Sequence, residues 1–279
     1  MAARGSRRHR GVEPVTRPAE QEGRVVVAED KRKREAAQAV TAARGGGGSR
    51  GTIVAIAIVV VLAAVVGGGY WLQHRNTTQL PSAIPVAAAG PEYPVVAKGD
   101  TIVTGKPDAP VTIDIYEDFL CPICGQFEKL HHQQFAQAAA EGKAKVVYHP
   151  VAILDDLSSP AGYSTLAAGA TFCAANAGIF PRFHDSLYGT QPPEGGRGWT
   201  SADLQNLGRA LGAGDGFARC VQTDATPRIT AATETASRYI SGLKSDHRFG
   251  TPSVVVNGKI VDNPFTGPWL DQALSGASR

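Results

Sequence analysis

The sequence predicts an α/β fold, a mixed sheet covered by helices with a helical insertion in its middle, preceded by a single transmembrane helix. Three observations carry this expectation. The alternating run Val111–Tyr116 (VTIDIY), a helical pattern and a second β run, Lys145–Tyr148 (KVVY), follow one another as in a βαβ unit. Residues from Ser158 to Gly242 have a helical texture. Two short β runs near the C-terminus, in TPSVVVNGKIV, meet at Asn257-Gly258, the strongest short-range hairpin signal.

The 279-residue chain changes composition twice before these elements begin. Residues 1–50 carry twelve Lys or Arg against six acids, a net +6, whereas the remainder has 16 basic and 19 acidic side chains, a net −3. The basic arm includes Lys31–Arg34 (KRKR) and Gly45–Gly48 (GGGG) and cannot bury enough apolar surface to fold, so it reads as a disordered tail. Residues 51–72 contain TIVAIAIVVVLAAVVGGGYWL, without a charge and long enough to cross about 30 Å of hydrocarbon as a helix. Tyr70 and Trp71 lie at its end, where amphipathic rings favour the headgroup region. The run exceeds a signal peptide's apolar core and follows a much longer basic region, so a retained anchor is expected. The positive-inside rule then puts the tail in the cytoplasm and everything after about residue 73 outside the cell membrane, in a single-pass arrangement. The basic tail suits anionic lipid headgroups, and a nucleic-acid partner is not expected.

Residues 73–97, with Pro81, Pro85, Pro91 and Pro94, read as a semi-extended linker, and residues 98–279 as one domain. Within it, Phe127, Leu130, Phe135 and Ala138 share helical spacing. The helical insertion runs over about 155–243. Ser201 is a candidate cap for ADLQNLGRALG, which Gly212 ends, and Gly189–Gly198 is a loop. PWLDQALS closes the chain as a helix.

The cysteines decide the chemistry. Cys121 and Cys124, in CPIC, stand at the strand-to-helix turn. Haem attachment requires a histidine directly after the second cysteine, and Gly125 is there instead. Zinc would have to recruit His131 and His132 at a spacing uncommon for a finger, so no metal is expected. A redox pair explains more. All four cysteines lie beyond the apolar run, where disulfides persist. At a helix N-terminus, Cys121 faces unpaired amides and the positive end of the dipole, which favour its thiolate; Cys124, one turn on, can close or resolve the bond. Cys173 and Cys220 are 47 positions apart, and four cysteines allow three connectivities. If Cys121 pairs with Cys124, the other two are left for a structural disulfide, with two buried free thiols or a second redox pair as alternatives.

DFLCPICGQF after a strand, a helical block, and GTPSVVVNGK before a hairpin resemble the DsbA-like thiol-disulfide oxidoreductases of the thioredoxin superfamily. The basic arm, single span and Arg-over-Lys bias look like the membrane-anchored DsbA-like proteins of actinobacteria. The resemblance covers about residues 98–276. It implies a thioredoxin-like fold, with Cys121 the exposed nucleophile, Cys124 its buried partner, Pro252 a cis-proline facing them and Thr251 a residue that tunes redox behaviour. Pro122, Ile123, Thr251 and Pro252 would then contact substrate, whose extended chain could pair with the backbone at Thr251. Beyond the Cys121–Cys124 disulfide no cofactor is implied. The implied partners are reduced exported proteins and, for reoxidation, a DsbB-like or vitamin-K-epoxide-reductase-like membrane protein. Ile123 departs from the strongly oxidising bacterial prototype, which has histidine there, so a potential between about −270 and −120 mV is expected.

Glu117 and Asp118 are either a solvated strand end or a buried proton acceptor for Cys124. His131 and His132 read as surface imidazoles, and His149-Pro150 as a strand end.

Overall fold

The computed structural model describes residues 80–276. The expected tail, the expected span at 51–72 and residues 73–79 of the linker lie outside the described residues. Among the described residues, no helix is long and apolar enough to cross a membrane.

The βαβ unit forms the centre. Strand β3 (Val111–Glu117) buries Val111, Ile113 and Ile115 on one face, and α1 (Pro122–Glu141) follows from the turn after it. Gly142 ends α1 with φ 71°, a left-handed position that glycine takes without steric cost. Strand β4 (Ala144–Pro150) returns parallel to β3, with Ile113 opposite Val146 and Ile115 opposite Tyr148. Strand β5 (Ser253–Val256) pairs antiparallel with β3's other edge, and β6 (Lys259–Ile260) completes the hairpin. Asn257 and Gly258 have φ 49° and 80°, the pair of positive values that a type I′ turn requires.

The sheet extends further than the sequence pattern indicates. Strands β1 (Val95–Lys98) and β2 (Thr101–Thr104) form an antiparallel hairpin, with β2 also pairing antiparallel with β4, giving the order β1-β2-β4-β3-β5-β6. The boundary expected at residue 98 therefore moves upstream. Ile84 is buried, Ala87 N–H donates to Ser186 Oγ at 2.9 Å, and Arg182 Nε donates to Ala87 O at 3.0 Å. The proline-rich segment from residue 80 thus lies against the domain, because its few apolar side chains have a surface to cover.

Between β4 and β5 the chain makes a short 3₁₀ turn (Asp155–Leu157) and five helices: α2 (Tyr163–Asn176), α3 (Phe180–Gly189), α4 (Ser201–Ala210), α5 (Asp215–Val221) and α6 (Thr226–Leu243). Helix α2, buried over most of its surface, packs on α3, α5 and α6. The cap of α4 is Thr200 rather than Ser201. Its Oγ1 accepts from Asp203 N–H while Asp203 Oδ2 accepts from Thr200 N–H, a reciprocal box that Ser201 has no acid to complete. Helix α7 (Trp269–Gly276) closes the described chain. Alternation along β3 divides the core: Ile113 and Ile115 join the large cluster with Phe127 and Phe135 of α1, whereas Tyr116 meets Ala236 and Ile240 of α6. The sheet is therefore covered on both faces, with the turn from β3 to α1 held between the helical layer and β5.

Candidate active site

Five segments converge on that turn. Cys121 is the N-cap of α1, with extended backbone (φ −69°, ψ 114°), Pro122 opens the helix where no N–H is needed, and Cys124 lies within its first turn. Both cysteines carry free thiols and are buried, so Cys121 is not the exposed thiol expected of it: it keeps 6% of its surface open, because the Thr251–Pro252 turn lies over it, and Cys124 keeps none. Across from them, the Thr251–Pro252 peptide before β5 is cis, and Cys121 Sγ–H donates to Thr251 O at 3.4 Å. Cys121, Pro122, Ile123, Cys124, Thr251 and Pro252 thus form one site. Ile123 is 45% exposed, presenting an apolar side chain beside the dithiol.

The electrostatics separate the two thiols. Hydrogen bonding from the Cys124 thiol is the largest influence on Cys121 and lowers its pKa. Burial opposes it, the Thr251 side chain and the Cys124 and Ile123 amides reinforce it, and the pKa comes to about 6. The anion sits where the helix directs its free N–H groups. Burial pushes the Cys124 thiol well above its ordinary value, and the neighbouring Cys121 reinforces that. At neutral pH one sulfur is a thiolate and the other holds its proton, the division of labour that thiol-disulfide exchange needs.

Two residues that sequence reasoning left out of the site hold this turn. Asp118 is fully buried, which removes the solvated strand end as a reading. Its Oδ1 accepts from Leu120 N–H at 2.8 Å and from Ser164 Oγ–H at 2.6 Å, its Oδ2 accepts from Leu154 N–H at 2.9 Å, and its carbonyl accepts from Cys121 N–H at 3.0 Å. Burial raises its pKa and these hydrogen bonds counter the rise. Asp118 is therefore a tie between the active turn, the segment after β4 and α2. Gln191, from the loop after α3, donates through Nε2 to Phe119 O at 3.0 Å and Cys121 O at 2.8 Å. Gly125 makes room for it, since a Cβ there would lie 2.3 Å from Gln191 Oε1.

The remaining candidates fall elsewhere. Cys173 of α2 and Cys220 of α5 form a disulfide, with Cα atoms 5.8 Å apart. His131 is buried, its Nε2 at 2.8 Å from Pro264 O, so the expectation of a surface imidazole fails there because α7 and the segment before it cover that face of α1. His132 is partly exposed and pairs with Asp185 at 3.2 Å. His149 stacks on Tyr116 and bonds Asp114 Oδ1 at 2.9 Å, on the face of the sheet opposite α1. Glu117 is also buried, and its Oε1 accepts from His184 Nε2 at 2.8 Å.

A sequence model of the thioredoxin family matches residues 97–275. The chain belongs to the thioredoxin family. Among curated proteins, residues of this chain are 32% identical over 183 positions to the serine/threonine-protein kinase PknE of Mycobacterium tuberculosis, covering 63% of this chain and 31% of the kinase. The chain thus spans less than a third of the length of that relative. Among solved structures, the MdbA thiol-disulfide oxidoreductases of Corynebacterium matruchotii and Corynebacterium diphtheriae superpose with a TM-score of 0.56 each. Their identities are 22% and 23%, and 66% of this chain covers 92% and 95% of theirs. The three chains share a fold.

Proposed function

We propose that this thioredoxin-family chain is a thiol-disulfide oxidoreductase, anchored in the cell membrane with its catalytic domain outside, that donates the Cys121–Cys124 disulfide to reduced exported proteins. One observation carries the reading: a Cys121 thiol with its pKa lowered to about 6 faces the Thr251–Pro252 turn, beside a partner thiol buried and held protonated. In the oxidised enzyme a substrate thiolate attacks Cys121 Sγ, the Cys121–Cys124 bond breaks, and Cys124 leaves as a thiolate that takes up a proton. A second substrate thiolate then attacks the substrate sulfur of the mixed disulfide, and Cys121 departs as the stabilised thiolate. The substrate gains a disulfide and the enzyme two electrons. Exposed Ile123 and the Thr251 backbone are the contacts offered to an extended chain. Reoxidation by a DsbB-like or vitamin-K-epoxide-reductase-like membrane protein completes the cycle and needs no cofactor bound to this chain.

The test is trapping in cells. A Cys124→Ser variant should accumulate mixed disulfides with exported proteins through Cys121, and Cys121→Ser should accumulate none; equal trapping by both would overturn the assignment. A second reading, a non-catalytic interaction module, is favoured by the similarity to part of a chain named as a kinase. It requires that function in cells survive Cys121→Ser, whereas the oxidase reading requires its loss.

A further inference from the structure

Beside the dithiol lies a polar cluster that the exchange chemistry does not use. Glu117 at the end of β3, Glu128 on α1 and His184 on α3 are all buried, and one ligand atom of each lies within 4.8 Å of the others. Glu128, one helical turn beyond Cys124, is 3% exposed, and neither of its carboxylate oxygens has a hydrogen-bond partner. Glu117 Oε2 also lacks one. Three buried carboxylate oxygens without donors around one imidazole are costly unless a proton or a cation joins them.

The charges agree with the geometry. His184 Nε2 lies 2.8 Å from Glu117 Oε1, and its Nδ1 lies 3.4 Å from Asp185 Oδ1. Two carboxylates and a neutral imidazole match a divalent ion in charge once the protons of the cluster are displaced.

We propose that Glu117, Glu128 and His184 bind one zinc ion. One imidazole and two carboxylates are a three-ligand set that zinc accepts at about 2.0–2.2 Å, leaving a fourth position for water. Tetrahedral ligands at that range stand about 3.5 Å apart, which side-chain rotation reaches from the present separations. Asp185, accepting from Nδ1, is placed as the outer carboxylate that orients a metal-bound histidine. Tyr148, Phe119, Phe180 and Tyr188 pack around the His184 ring and supply a dry wall. A cavity lined by Glu128, His132, His184 and Asp185 gives an entry path. Calcium and magnesium, which take six or more oxygens, are poorly served.

The experiment uses the full chain in detergent, without an affinity tag, with the Cys121–Cys124 disulfide closed so that no thiolate competes. Equilibrium dialysis against Zn²⁺ should leave one equivalent per chain that a chelator removes and excess Ca²⁺ does not. Co²⁺ in its place should give d–d bands without thiolate charge transfer. Glu128→Gln and Glu117→Gln should each weaken zinc binding at least about tenfold, with near-UV circular dichroism unchanged. Should either variant fail to fold, Asp185→Asn tests the same site from outside the ligand set, and its affinity should fall about 10-fold or more. Absence of retained zinc in the oxidised chain overturns the proposal, as does wild-type affinity in the folded variants or preference for Ca²⁺. Because the dithiol is closed throughout, these outcomes are separate from the fate of the oxidase reading.

Discussion

Titrating Cys121 tests the arrangement of the active turn quantitatively. Its pKa falls from an ordinary 9.0 to about 6 in the folded dithiol form. A depressed thiol stabilises the folded, reduced chain fully above pH 9 and loses that contribution as the pH falls through 6. Between those limits the slope is about 1.4 kcal/mol per pH unit, so the reduced chain should gain about 2.6 kcal/mol from pH 5 to pH 8 and hold about 1.4 kcal/mol at pH 7. These are ceilings, because the thiolate keeps some solvent screening. The disulfide form has no such group, so the pH 7 contribution favours the dithiol and raises the potential by about 30 mV. Two assays read it. Alkylation of the reduced chain at Cys121 should show half-reactivity near pH 6, and urea unfolding of the reduced form should strengthen relative to the oxidised form as pH rises. Half-reactivity at pH 8 or above, with no pH-dependent gap between the two forms, would mean that the turn does not stabilise the Cys121 thiolate.

Other substitutions probe the supports of the site. Gly125→Ala sets a Cβ against Gln191, and Gln191→Ala removes the donor to the Phe119 and Cys121 carbonyls. Each should slow disulfide exchange several-fold and cost about 1–3 kcal/mol in unfolding experiments. Asp118→Ala leaves the Leu120 and Leu154 amides and the Ser164 hydroxyl without their acceptor, and thermal unfolding should report a loss of about 3 kcal/mol or more. Replacing Cys173 and Cys220 by Ala opens a 47-residue loop and should cost about 4 kcal/mol by denaturant unfolding, with the Cys121 alkylation profile unchanged. A shifted alkylation profile would mean that the two cysteine pairs are coupled.

The parts of the fold that the sequence shows plainly are those whose signals are local. The change from period 2 in VTIDIY to helical spacing after CPIC places the dithiol at a strand-to-helix turn, and Asn257-Gly258 marks the β5–β6 hairpin. Strands β1 and β2 are four residues each and follow a proline-rich run, too short to show alternation. Thr200 and Ser201 are both competent caps, and only Asp203 in the right register selects the first. The cysteines and Thr251-Pro252 are legible as a pair of motifs. The residues that brace them are not: Gln191 reaches Cys121 across 70 positions, and His184 reaches Glu117 across 67, distances over which only the packed fold decides who meets whom.

A disulfide donor must hold its Cys121–Cys124 bond at a potential from which it can oxidise substrate thiols. The most direct test is the equilibrium potential of that pair in glutathione buffers at pH 7, measured on the full chain with Cys173 and Cys220 replaced as a control. The expected value lies above about −270 mV and below about −120 mV, with the reduced form the more stable. A value at or below about −270 mV, with the oxidised form the more stable, would make the pair a reductant or a staple and contradict the donor role.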